Sequence, residues 1–301
     1  MVMTTQPMEN MTAMLRPYVR RVEADMELWL ADSAAPEALS DAMRYCVLGG
    51  GKRLRPALVL MSATAVGGDA MEELSRRSAV AIEMIHCYSL VHDDLPAMDD
   101  DVLRRGRPTA HVQFGEAMAV LAGDALLTRA FAVLSATAAT DARAGRLVAE
   151  LALGAGEAGM IAGQVADMDL CDVPAGVDGL RYIHNRKTGA LIRAACLMGA
   201  ICGGATRTQL DALGRYGEQL GLAFQLVDDI LDATGDRSVL GKTPGKDAQA
   251  GKRTYVSELG LAAAKTLAQD ITASAVAALE PLAPKGAELA VLAKSLTGRT
   301  H

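Results

Sequence analysis

Two groups of aspartates dominate the chemistry available to this chain. SLVHDDLPAMDDD holds Asp93, Asp94, Asp99, Asp100 and Asp101, and QLVDDILDATGD holds Asp228, Asp229, Asp232 and Asp236. Most charge runs are solvated faces. Here, however, Asp93–Asp94 and Asp228–Asp229 each end an apolar helical stretch, where packed like charges repel unless something neutralises them. Carboxylate oxygens suit the hard cations Mg2+ and Ca2+. A calcium-binding EF-hand loop opening at Asp232 needs Glu at its twelfth position, and that position is Thr243. Mg2+ instead uses a few carboxylates together with substrate phosphates. Asp228 and Asp232 are four apart and share one helix face. Pro96 disfavours helix at Leu95, so Asp99 is expected to return to Asp93 by a bend. Two such clusters facing each other across a helical cavity would grip a diphosphate through bridging ions.

The cations are gathered too: Lys52, Arg53, Arg55; Arg104, Arg105, Arg107; Lys187; Lys242, Lys246; Lys252, Arg253. Any one of them alone reads as surface charge. RRGRP, starting three residues after Asp101, differs, because cations so near an acidic cluster imply an anion shared between them. Arginine suits this role through bidentate contacts to phosphate oxygens. Two anionic sites follow, one metal-bridged and one held by side chains alone. GGGKR at Gly49–Arg53 fails as a P-loop, since Arg follows Lys52. GAGEAG at Gly154–Gly159 matches a dinucleotide fingerprint but follows the helical pattern RLVAELAL, so close helix packing is the expected use of its glycines.

Helices must position these groups. Aromatics make up 3% of the chain, and Ala, Leu and Met, which lose little freedom in a helix, are abundant. Apolar residues recur at helical spacing at Ala79, Ile82, Ile85 and Leu90, and again at Leu213, Tyr216, Leu220, Phe224, Val227 and Leu231. No segment alternates over five or more residues beside an Asn-Gly or Asp-Gly turn, so no hairpin is expected. Breakers at Ser33–Pro36, Gly67–Asp69, Val173–Gly176, Gly203–Gly204, Thr243–Gly245 and Pro281–Gly286 divide the chain into roughly ten to twelve helices. With no linker or repeat, residues 1–301 are expected to form one all-α domain.

Composition narrows the function classes. A net charge of −6 with no basic stripe argues against nucleic acid, and 50% hydrophobic residues argue against disorder. The longest charge-free stretch near the middle, Ala194 to Thr206, falls well short of the ~18 residues of a membrane span. MVMTTQPMENM has neither the basic start nor the apolar block of a signal peptide, so a cytoplasmic protein without a membrane span is expected. Five cysteines without a CxxC pair predict buried free thiols.

GGGKRLRP, EMIHCYSLVHDDLPAMDDDVLRRGRPTAH, KTG, FQLVDDILD and GKTPGKDAQAGKRTY follow one another from roughly Gly49 to Tyr255. In these five motifs and in their order the chain resembles the trans-prenyl diphosphate synthases, most of all the bacterial farnesyl diphosphate synthases. The resemblance implies a bundle of mostly antiparallel helices around a deep cavity, in a homodimer. It also implies that Asp93, Asp99 and Asp228 coordinate three Mg2+ ions (Mn2+ being a possible substitute), supported by Asp94, Asp100 and Asp232. Lys52, Arg55, His86 and Arg105 would hold isopentenyl diphosphate. Arg104, Lys187, Thr188, Gln225, Lys242 and Lys252 would hold the allylic diphosphate. Tyr88, five residues before Asp93, would floor the cavity, about one helical turn (roughly 6–7.5 Å) below the diphosphate end. The ending LAKSLTGRTH departs from the aromatic and basic tail with which many relatives close the site.

The implied reaction is a head-to-tail condensation. The departing diphosphate is stabilised electrostatically, and the allylic cation is attacked by the double bond of isopentenyl diphosphate. A proton then leaves, while the apolar cavity excludes water. A geranylgeranyl diphosphate synthase differs from this reading only in product length. A terpene cyclase usually replaces the second aspartate motif with an Asn/Ser/Glu type, whereas DDILD stands here. A non-catalytic partner subunit is expected to have lost one of the two motifs, and both remain.

Overall fold

Ala- and Leu-rich segments fold as their composition dictates. The computed structural model describes residues 6–31, 34–234 and 253–298, with side chains from residue 11 onward. The chain enters through α1 (Gln6–Ala31), α2 (Glu37–Val47), α3 (Leu54–Ala65) and α4 (Glu73–Asp93). A two-stranded hairpin, β1 (Leu103–Arg104) and β2 (Arg107–Pro108), leads into α5 (Ala110–Phe114), α6 (Glu116–Ser135), α7 (Arg143–Ala155), α8 (Met160–Asp167) and α9 (Gly176–His184). A π-helical turn at Asn185–Gly189 joins α9 to α10 (Ala190–Cys202), followed by α11 (Arg207–Thr234). Then come α12 (Tyr255–Leu259), α13 (Leu261–Ala278) and α14 (Ala287–Thr297). Twelve of the described helices have eight residues or more, as the breaker positions predict.

The core is built around α10. All but two of its residues are buried, as expected of a helix apolar on every side. Its neighbours approach through small residues. A Cβ on Gly199 would lie 2.1 Å from the Val59 carbonyl oxygen of α3, and one on Gly154 would lie 2.6 Å from the Ala194 Cβ. Gly154 of GAGEAG thus serves close packing of α7 on α10, whereas Gly156 and Gly159 let the chain turn tightly against the end of α7 itself, with Cβ positions 2.6 Å from the Ala152 carbonyl oxygen and 2.4 Å from that of Gly154. A second cluster unites Leu180, Leu222, Leu226, Ile230, Tyr255 and Ile271 from α9, α11, α12 and α13.

At the other end, Arg76 and Arg77 of α4 stack on the Trp29 ring of α1, 5.6 and 4.8 Å from its centroid. The Trp29 carbonyl accepts a hydrogen bond from Arg129 Nε of α6 at 3.1 Å. Asp25 on the same helix pairs with Arg76. These contacts fix α1 against α4 and α6.

Three expectations need correction. A hairpin does form, pairing Leu103 with Pro108 and Arg104 with Arg107. Its turn residues Arg105 and Gly106 have φ of 54° and 74°, the backbone of a type I′ turn built on Arg-Gly, with strands too short for alternation to register. Secondly, α6 is long and apolar enough by composition to cross a membrane. A search for charge-free runs overlooks it because Asp124 and Arg129 interrupt it. Its Ala119, Ala122, Leu126, Ala130, Val133 and Leu134 are buried, which is the pattern of a core helix. Thirdly, of the five free cysteines Cys87, Cys196 and Cys202 are buried, Cys46 is half-buried and Cys171 is exposed.

Candidate active site

Positive charge converges where the Gly49–Arg53 segment meets α4 and the hairpin turn. Gly50 and Gly51 adopt φ of 82° and 137°, conformations closed to other residues without strain. A Cβ on Gly51 would strike the Arg105 guanidinium at 2.6 Å, and Arg105 donates to the Gly50 carbonyl. The loop and the turn are therefore packed as one unit. His86 lies among these cations: burial, then Arg55 and Arg105, hold its imidazole well below its usual range. It is thus neutral at physiological pH, able to donate from one ring nitrogen. Burial also lowers Arg55 and Arg105, partly opposed by Glu83. Of the four residues predicted to hold the metal-free diphosphate, the structure brings Arg55, His86 and Arg105 together, with Lys52 exposed at the rim of the loop.

Arg53, within the same motif, acts differently. It adopts φ of 48°, which costs an arginine about 1–2 kcal/mol. Its side chain is fully buried, donating to Glu83 Oε1 at 2.9 Å and to the Val47 carbonyl at 2.6 Å. Sequence reasoning grouped it with the other cations and did not single out Glu83.

The first acidic cluster forms at the end of α4. The Asp99 amide donates to the Asp93 carbonyl at 2.8 Å, so the segment after Pro96 does fold back. Burial pushes the Asp93 carboxyl up to about 6; Lys187 opposes this, and Asp99 and Asp94 add to it. Such an accumulation of negative charge fits a cation. Asp94 is itself buried in a fork from Arg104, whose Nε lies 2.7 and 2.8 Å from its two oxygens. Arg104 is also 3.6 Å from Asp101. Two residues predicted for separate roles thus form one pair. Asp100 is exposed, at φ of 50°.

The second cluster lies on α11, where Asp228 and Asp232 share a face and are both half-buried. Asp229 is occupied structurally, accepting from Gln225 Nε2 at 3.1 Å and from the Tyr255 amide at 2.9 Å. Gln225 is thereby oriented. Among the described residues no three carboxylate, imidazole or thiol groups converge closely enough to hold an ion by themselves.

Lys187 and Thr188 sit on the π-helical turn, an irregularity common at functional sites. Lys187 Nζ pairs with Asp167 at 2.6 Å and its charge reaches Asp93. Asp167 and Gln164, one turn apart on α8, escaped the sequence reading; neither amide atom of the buried Gln164 side chain has a hydrogen-bond partner. The Tyr88 hydroxyl is likewise buried without a partner, its ring edge-on to His92 with centroids 5.7 Å apart. Asp236, Lys242, Lys246 and Lys252 lie outside the described residues. Two cavities of about 510 and 500 Å³, bordered by α7, α10 and α11, contain none of the predicted site residues.

An all-α bundle that sets an acidic cluster beside a cluster of arginines, one lysine and a neutral histidine belongs to an enzyme of diphosphate-bearing substrates. The chain is a member of the polyprenyl synthetase family, whose model matches residues 36–280. Farnesyl diphosphate synthase of Escherichia coli is 47% identical over 256 residues, 84% of this chain and 85% of that protein. Geranylgeranyl pyrophosphate synthase 12, chloroplastic, of Arabidopsis thaliana is 45% identical over 265 residues, 85% and 73% of the two chains. The crystal structure of an FPP/GFPP synthase from Zymomonas mobilis superposes with a TM-score of 0.83 at 35% identity, covering 96% of this chain and 99% of that one. The activity is that of a trans-prenyl diphosphate synthase, a prenyltransferase of isoprenoid biosynthesis. Members of this family generally depend on Mg2+.

Proposed function

We propose that the chain is a single-domain, cytoplasmic, homodimeric farnesyl diphosphate synthase, condensing isopentenyl diphosphate with dimethylallyl and then geranyl diphosphate. The observation that carries the substrate assignment is the convergence of Arg55, His86 and Arg105, a basic group distinct from the acidic one at Asp93. Isopentenyl diphosphate is held there without metal, by charge-assisted contacts from Lys52, Arg55 and Arg105 and a hydrogen bond from neutral His86. The allylic diphosphate lies by Asp93, Asp99 and Asp228, contacted by Lys187, Thr188 and Gln225, with Arg104 near and Lys242 and Lys252 completing the set. Asp94, Asp100 and Asp232 support the acidic residues. Asp93, Asp99 and Asp228 would hold Mg2+, which would supply Lewis-acid stabilisation to the leaving diphosphate. Lys187, oriented by Asp167, adds a fixed positive charge as that diphosphate departs. Val120 and Leu121 on α6, both exposed, support pairing of two copies through that helix.

Tyr88 supports the fifteen-carbon product. It is a buried aromatic one helical turn below Asp93, followed by the small Ser89. The geranylgeranyl reading draws on the plant relatives at 45% identity. One assay decides between them: the purified chain is supplied with isopentenyl diphosphate and each of dimethylallyl, geranyl and farnesyl diphosphate, and products are resolved by length. Farnesyl diphosphate as end product, with farnesyl diphosphate itself not extended, is expected. Efficient extension to twenty carbons overturns the farnesyl assignment.

A further inference from the structure

Between Lys52 and Arg55 stands a guanidinium that cannot reach substrate. The Arg53 side chain has no exposed surface, and its carboxylate partner Glu83 is 2% exposed. Its contacts tie the loop to three helices. Glu83 belongs to α4, the Val47 carbonyl closes α2, and Glu23 of α1 lies 3.6 Å away. The backbone at Arg53 is left-handed, directly before α3, after two glycines that also have positive φ. Such a conformation in an arginine persists only where its surroundings over-determine it. The surroundings here are the buried ion pair. Glu83 is also the carboxylate whose charge is felt by Arg53, Arg55 and Arg105 alike. Three guanidiniums crowded around one spot repel each other, and one fixed counter-charge beneath them lets them stay there.

We infer that the Arg53–Glu83 pair is a positioning device for the metal-free diphosphate subsite, setting the loop and the start of α3 so that Lys52 and Arg55 meet the same anion. This rests on the assignment of Lys52, Arg55, His86 and Arg105 to isopentenyl diphosphate. Neither member of the pair touches substrate. Removing the charge of Glu83 leaves Arg53 buried without its partner and relaxes the grouping of Arg55 and Arg105. The loss is then felt by one substrate and not by the other.

Four variants test this: Glu83→Gln, Arg53→Lys, and the direct-contact variants Lys52→Ala and Arg55→Ala. Apparent KM for isopentenyl diphosphate and for geranyl diphosphate, kcat, and the thermal midpoint are measured for each. Glu83→Gln is expected to raise KM for isopentenyl diphosphate roughly 10- to 100-fold, the scale of a group displaced by about an ångström. KM for geranyl diphosphate stays near the wild-type value. Arg53→Lys, which keeps charge but loses the fork, shows a smaller rise of the same kind. A merely structural pair would lower the thermal midpoint without splitting the two KM values. If the contact variants raise KM for isopentenyl diphosphate while folded Glu83→Gln and Arg53→Lys do not, the positioning role falls and the subsite stands. If the contact variants leave that KM unchanged, the subsite assignment itself falls. Failure of both Glu83→Gln and Arg53→Lys to fold makes the pair a folding element and also overturns the inference.

Discussion

Gly163→Ala is a single methyl with a calculable displacement. Gly163 lies on α8 where that helix crosses the π-helical turn. A Cβ there would lie 2.0 Å from the Lys187 amide nitrogen, 2.5 Å from Lys187 Cα and 2.7 Å from the Arg186 carbonyl carbon. All three are backbone atoms, so no side chain can swing aside. Real Cβ contacts essentially never fall below 3.0 Å and ordinary contact begins at 3.4 Å, so α8 and the turn must separate by 1.0 to 1.4 Å. That separation stretches the 2.6 Å pairing of Lys187 with Asp167, since the two residues stand on the elements being forced apart. Overpacking of this kind costs about 1–3 kcal/mol in stability. A displaced Lys187 ammonium loses roughly 100-fold in kcat. Gly145→Ala on α7 is the control, because a Cβ there meets nothing within 4 Å. It is expected to stabilise the helix by about 0.5–1 kcal/mol and to leave kinetics unchanged. Steady-state assays with geranyl diphosphate, alongside circular-dichroism melts, read both effects. A folded Gly163→Ala enzyme with kcat within a factor of about two of wild type refutes the claim that the π-helical turn sets the position of Lys187.

Three further outcomes are expected. Asp93→Ala and Asp228→Ala each lower turnover with Mg2+ by several orders of magnitude while far-ultraviolet circular dichroism is unchanged; near-normal activity in either variant sinks its assignment to the metal. Tyr88→Ala lengthens the product toward geranylgeranyl diphosphate at a stability loss of about 3 kcal/mol; an unchanged fifteen-carbon product from folded enzyme puts the floor elsewhere. His184 is buried, and this holds its imidazole down to about 4, so the unfolded chain takes up a proton below about pH 6.5 that the folded chain refuses. Stability is therefore full above that pH and falls as pH drops toward 4. At pH 5 the wild type should have lost about 2 kcal/mol more, relative to pH 7.5, than His184→Gln. Urea titrations at the two pH values check this, and equal losses in both proteins rule it out.

Local chemistry was legible where it is carried by spacing. The period of apolar residues marks α4 and α11, Pro96 marks the bend that returns Asp99 to Asp93, and RLVAELAL identifies GAGEAG as helix packing. What the sequence conceals are pairings between distant residues. Arg53 and Glu83, Asp167 and Lys187, and Asp229 and the Tyr255 amide are joined only by the fold. In the sequence each resembles its less buried neighbours: Arg53 stands in a run of three cations, and Asp229 stands beside Asp228. Burial separates them, and burial is a property of the assembled bundle. The hairpin turn was missed for another reason, since Arg105 takes the left-handed backbone usually given to Asn or Asp.

Trp29 is the only indole in 301 residues, and it lies in the seam where α1 meets α4 and α6, beneath two guanidinium groups. Intrinsic fluorescence excited at the indole band is thus an optical gauge of that one seam, while circular dichroism averages over every helix. Lifting α1 would strip the ring of both guanidiniums and shift its emission before the rest of the bundle responds. Because Glu23 on α1 also approaches Arg53, the same signal would report on the anchor of the loop that carries Lys52. A melt followed by both signals, with the indole transition arriving first, would resolve the undocking of α1 from global unfolding without any added dye.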